Sequence, residues 1–93
     1  MIPIDEVRYF QAADKYTSVF TAEGEFLIRK PLKQLAEALD PDCFWQIHRS
    51  TIVNAERIAS FERDMRGRYL VRLKDGKETL VASRQYADLF KQM

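Results

Sequence analysis

The segment His48-Arg49-Ser50-Thr51 gathers an imidazole, a guanidinium and two hydroxyls, framed by Trp45, Ile47, Ile52 and Val53. His48 is the only histidine and Trp45 the only tryptophan. A buried strand does not normally carry an arginine there, and a plain surface loop is not normally framed by large apolar side chains. The pattern is that of a polar tip held by core on both sides, where sites tend to sit. Catalysis is poorly served by it. His48 and Ser50 are two residues apart, nothing resembles a nucleophile elbow, and no acid is tied to them by spacing. One histidine and one cysteine are too few ligands for a metal centre. The three glycines fall at predicted turns and form no phosphate loop. The sequence therefore points to no enzyme, no metal and no cofactor.

Nucleic-acid binding fits better, because it needs donors for phosphates and base edges mounted on fixed elements. Arg49 stands on the framed tip. Arg84 stands at a predicted helix start, where free N–H groups and the helix dipole favour an anion. Lys15 sits on a predicted turn. Tyr16 could stack or touch sugar, or be core; Thr17 could face out from a strand or in. Ser50 and Thr51 could donate to phosphate or to local backbone. His48 reads first as structural, bonded to backbone or to Ser50, with a DNA contact as the other reading. Asn54 suits a turn held by its amide, and Ser83 a helix N-cap. Arg57, Arg63, Arg66, Arg68 and Arg72 would add only diffuse attraction.

The elements that must position these residues are mostly short strands. Residues 6–12 and 16–22 are rich in β-formers around a turn at Ala13-Asp14-Lys15, and 25–30 returns after Glu23-Gly24. Tyr9, Phe10, Phe20 and Phe26 alternate as core residues should. Pro31 suits the first turn of a helix whose stripe is Leu32, Leu35, Ala36 and Leu39, stopped by Asp40-Pro41. Residues 43–47 read as a short buried strand, with Cys43 a small core filler and Trp45 core. Residues 56–63, 69–74 and 78–82 follow as strands, the last two joined by an Asp75-Gly76 hairpin. A final helix starts at Ser83, with Tyr86, Leu89, Phe90 and Met93 as its stripe. This predicts a mainly β class: small packed antiparallel sheets with two short helices.

The totals set bounds on this reading. Ninety-three residues make one domain, 1–93, and 46% hydrophobic residues supply its core. No apolar run approaches a membrane span, no signal peptide is evident, and the lone cysteine fits a cytoplasmic protein. Net charge is only +1, but residues 1–47 hold 5 Lys/Arg against 8 Asp/Glu, and residues 48–93 hold 10 against 6. The basic excess begins at His48, which permits one positive face.

FWQIHRSTIVNAERI, followed by YLVRLKDGKETLVASRQYADLF, resembles the LytTR DNA-binding domain, an output module of bacterial response regulators. The matching positions are Phe44, Ile47, His48, Arg49, Ser50, Ile52, Val53 and Asn54, then Ser83, Arg84 and Tyr86. The resemblance covers nearly the whole chain. It implies packed small sheets, loops in successive major grooves of double-stranded DNA, a bent duplex, and two copies on direct repeats in promoters, a homodimer on DNA among the arrangements. It implies DNA contacts at Lys15, Tyr16, Thr17, Arg49 and Arg84, and an upstream receiver domain absent from these residues. The sequence departs from the family at Lys15, where many members have Asn, and at Thr51, where many have Tyr. The competing expectation is a protein-interaction module using a sheet edge or an apolar patch around Trp45.

Overall fold

Apolar side chains leave the central strands on both faces, and that sets the layering. A computed structural model describes residues 3–74 and 78–86. Its strands are β1 (Val7–Ala13), β2 (Tyr16–Thr21), β3 (Gly24–Ile28), β4 (Phe44–His48), β5 (Thr51–Asn54), β6 (Ile58–Arg63), β7 (Tyr69–Leu73) and β8 (Thr79–Ala82). One α-helix, α1 (Leu32–Ala38), and 3-10 turns at Ile4–Glu6, Ala55–Arg57 and Arg84–Tyr86 complete the described residues. Five strands pair in the order β3-β2-β1-β5-β4 and three in the order β6-β7-β8, all antiparallel.

The five-stranded sheet is the middle layer. On one face Val7, Phe10, Val19, Phe44 and Ile52 meet Leu32 and Leu35 of α1. On the other Tyr9, Ile47 and Val53 meet Val71, Leu73, Leu80 and Ala82 of the smaller sheet. Because both faces of β5 are covered, all four of its residues are buried.

Bulges set which side chains reach which layer. In β1 the pairing with β2 slips between Val7 and Tyr9, so Arg8 is the extra residue. That slip lets Val7 and Phe10 share a face although they are three apart, against strict alternation. Arg8 itself is buried, and its guanidinium bonds Glu78, just before β8, at 2.8 Å, tying the two sheets together. The Glu78 carboxyl is held below the usual range by its own backbone N–H and by Arg8, against the opposing effect of burial. Burial, reinforced by Glu78, pushes the Tyr9 phenol up. A second bulge makes Ile47 the extra residue of β4.

Asn54 ties the end of β5 to the start of β1. Its amide nitrogen donates to the Val7 carbonyl at 2.8 Å, and its amide oxygen accepts the Glu56 N–H at 3.1 Å. Asn54→Ala removes a buried partner from the Val7 carbonyl and a part-buried one from the Glu56 N–H. The expected loss is about 2 kcal/mol, read as a lower urea midpoint with an unchanged m-value.

Several sequence expectations need correction. Cys43 is exposed, not core: it lies in the turn before β4, outside the covered strand. Its thiol is pushed up by desolvation and by Asp40, to which it donates at 3.7 Å, so it is no activated nucleophile. Phe26 is exposed because β3 is an edge strand. Ala36 is exposed, and Pro31 caps α1 instead of entering its first turn. Trp45 is only partly buried, packed against the inter-sheet cluster. Only the first turn of the expected final helix, Arg84–Tyr86, is described, and it is 3-10. Leu89, Phe90, Met93 and the Asp75-Gly76 turn lie outside the described residues.

Candidate nucleic-acid interface

The Asp14–Lys15 turn is short because Ala13 pairs directly with Tyr16. Asp14 closes it at φ 32°, a left-handed conformation that aspartate tolerates better than most residues. Strand β1 also runs beside β5, with Gln11 opposite Thr51, and the Ala12 N–H donates to the Ser50 carbonyl at 2.8 Å. The Lys15 turn and the Arg49 turn therefore leave the sheet at the same end. Lys15 stands about two residues, or about 7 Å, farther out at about 3.3 Å per residue.

A third segment joins them. The Ser83 N–H donates to the Ile47 carbonyl at 2.9 Å, which starts the Arg84–Tyr86 turn beside the base of the tip. Ser83 accepts the Tyr86 N–H through its carbonyl at 3.0 Å. Arg84 is exposed, and its stem passes Gly67: a Cβ there would lie 3.7 Å from the Arg84 Nε. That is ordinary contact, so Gly67 is required by its φ of +84° and not by lack of space.

The tip is held from within. The His48 Nδ1 accepts the Ser50 N–H at 3.2 Å and lies 2.9 Å from the Ser50 Oγ. In the neutral ring this leaves the proton on Nε2. His48, Ser50 and Thr51 line a shallow groove of about 280 Å³ with Gln11, Thr79, Leu80 and Val81. Arg49 itself is exposed at the apex. Among the described residues, the side chains of Lys15, Arg49 and Arg84 have no hydrogen bond or ion pair. By contrast Arg57 bonds the Asp5 carbonyl, Arg68 pairs with Asp64 and Arg72 with Glu62.

Two candidates fare differently. Tyr16 is 42% exposed at the start of β2, free to lie against a ligand. Thr17 is 1% exposed, and its hydroxyl donates to the Lys30 carbonyl at 2.7 Å. The expectation of a Thr17 contact does not fit this position: the side chain is used to hold the chain after β3.

Sequence reasoning treated Arg66 only as diffuse charge. The β6–β7 turn is in fact rigid. Asp64 Oδ1 accepts the N–H groups of Arg66 and Arg68 at 2.9 Å, and Oδ2 accepts the Arg68 Nε at 3.0 Å. Arg66 and Met65 are fully outward at its apex, next to Gly67 and so close to Arg84. The available signal was an aspartate three residues before a glycine, an Asx-turn pattern. Burial pushes the Asp64 carboxyl up, but the Arg68 and Arg66 backbone donors and the Arg68 guanidinium outweigh it and hold it below its ordinary value. A depressed carboxyl stabilises the fold above its unfolded pKa of about 3.9 and loses that contribution as pH falls through the folded value. The Arg66 and Arg68 amide resonances should accordingly move together on acidification, with a midpoint below that of an ordinary aspartate, and stay constant between pH 6 and 8.

No group of three or more His, Cys, Asp or Glu among the described residues could hold a metal ion. No helix among them is long and apolar enough to cross a membrane.

Comparison with known proteins gives a consistent picture. The family model described as the LytTr DNA-binding domain matches residues 1–93. An uncharacterized response regulatory protein of Vibrio cholerae is 40% identical over 98% of the chain, which spans 36% of that protein. The positive alginate biosynthesis regulatory protein of Pseudomonas aeruginosa is 37% identical over 94% of the chain, again 36% of its own length. The transcriptional regulatory protein YpdB of Escherichia coli is 30% identical over 98% of the chain and 37% of its own. The chain thus spans little more than a third of these relatives. A solved LytTr DNA-binding domain from Bacillus cereus superposes with a TM-score of 0.89 at 31% identity, covering 98% of this chain and 83% of that one.

Proposed function

Since the chain belongs to the LytTr DNA-binding domain family, we propose that residues 1–93 act as one sequence-specific, duplex-DNA-binding effector domain of a bacterial transcriptional regulator. The contacting residues in this reading are Lys15, Tyr16, Arg49 and Arg84, with Ser50 and His48 at the tip and Arg66 added from the neighbouring turn. Asn54 and Ser83 support them. A two-stranded tip is narrow enough for a major groove about 12 Å wide. Two copies on promoter direct repeats, with the duplex bent between or beneath them, belong to the same proposal.

One observation carries it: three segments distant in the chain meet at one end of the sheet through the Ala12–Ser50 and Ser83–Ile47 bonds, and their cations have no partner among the described residues. Exposed cations without protein partners are suited to phosphates, whose neutralisation releases counterions. The test is a footprint and salt titration on promoter DNA selected from fragments of a bacterial genome. Protection of a defined sequence, with log affinity falling linearly in log salt, is expected. Retention that does not respond to salt, or no preference between promoter and random duplex, would sink the proposal.

A further inference from the structure

The remaining feature that calls for a partner is the free edge of the five-stranded sheet. Strand β3 ends the order β3-β2-β1-β5-β4, and its first four residues are all exposed. Phe26 and Leu27 are both large and exposed, Leu27 at 61%. No proline or bulge blunts this edge: its register with β2 is unbroken from Thr21↔Gly24 to Thr17↔Ile28. Such an edge is a template for another strand unless its charges forbid pairing.

The charges here select the partner. Thr21 and Gly24 close a two-residue turn and form a mutually bonded pair, and such pairs alternate along an antiparallel ladder. Gly24, Phe26 and Ile28 therefore direct their backbone groups to β2. Glu25 and Leu27 direct theirs outward, and Arg29 does so if the strand extends by one residue. Laying a second copy antiparallel about Leu27 sets Leu27 opposite Leu27, Phe26 opposite Ile28, and Glu25 opposite Arg29 of the other chain, twice. The sequence Glu25-Phe26-Leu27-Ile28-Arg29 is thus self-complementary in charge and in apolar character about its centre. A self-complementary patch is what a two-fold interface requires.

We infer that two copies of this chain associate through β3, continuing one sheet across both with Leu27 on the two-fold axis and Glu25 paired to Arg29 across it. The two-fold reverses strand direction, so the Lys15–Arg49 ends of the two copies point apart. This contact is therefore distinct from any side-by-side arrangement on direct repeats, and it does not rest on the DNA reading. The interface is small, and small interfaces are weak.

Sedimentation equilibrium of the 93-residue chain from about 10 μM to about 1 mM, a range matched to weak association, tests it. Wild type should show a monomer–dimer equilibrium. Glu25→Arg and Arg29→Glu should each weaken it by about tenfold, since like charges then face each other across the ladder. The double variant Glu25→Arg/Arg29→Glu should restore it, because the cross-strand pairs are re-formed with their signs exchanged. Both substituted positions, Glu25 and Arg29, are exposed, and unchanged far-ultraviolet circular dichroism will report that the variants fold. A monomer throughout the range overturns the inference and leaves the edge to a different strand. So does a dimer indifferent to the single reversals, or single-variant losses that the double variant fails to recover. DNA binding by a purely monomeric chain would leave the proposed function standing while this inference fell.

Discussion

Arg49→Ala should lower the affinity of the proposed DNA complex by about ten- to a hundredfold, the range for losing one well-placed arginine contact of about 1–3 kcal/mol. Arg49 is exposed at the apex of the β4–β5 turn and has no partner among the described residues, so its removal leaves the fold unchanged. The readout that separates base from backbone recognition is the salt dependence. If the guanidinium binds a phosphate, the log–log slope falls by about 1 and all sequences weaken together. If it reads a base edge, the slope is kept and discrimination at one position relaxes. Arg84→Ala should follow the same logic from the neighbouring turn. Thr17→Val should do neither, because Thr17 is buried against Lys30; it should cost stability alone. Full affinity after both Arg49→Ala and Arg84→Ala would remove the interface assigned to this end of the sheet.

The second large effect is expected at Ile47. This side chain is 0% exposed, between the two sheets, and it is the extra residue of the β4 bulge. Truncation to alanine removes packed atoms and leaves a cavity between two rigid layers, at about 2–5 kcal/mol. Native domains are stable by only about 5–15 kcal/mol, so a large fraction of the margin goes. The same residue's carbonyl accepts the Ser83 N–H. Ile47→Ala should therefore loosen the start of the Arg84 turn before the whole domain unfolds. Urea denaturation gives the first quantity, and hydrogen exchange at the Ser83 amide gives the second. A loss of stability under about 1 kcal/mol would mean the sheets close over the gap.

Much of the architecture was legible from local chemistry. The alternation of Tyr69, Val71 and Leu73 became β7, and Pro31 with Leu32 and Leu35 became a helix against the sheet. The framed tip was readable because Ile47, Ile52 and Val53 are strongly apolar on both sides of charged residues. Family resemblance rested on the same positions. What failed was burial at particular sites. Cys43 beside Phe44 and Trp45 looked interior, and Phe26 alternated like core, yet both are exposed.

Composition and periodicity determined that this chain makes short strands, and that turns between them carry Lys15 and Arg49. They could do so because turn preference and strand propensity are local properties. Only the tertiary structure decided that β1 lies beside β5, that Ser83 bonds Ile47, and that Thr17 faces inward while β3 stands at an edge. Those outcomes depend on strand order and on single-residue bulges, which shift the facing of every residue beyond them, and neither leaves a mark within a few residues of sequence.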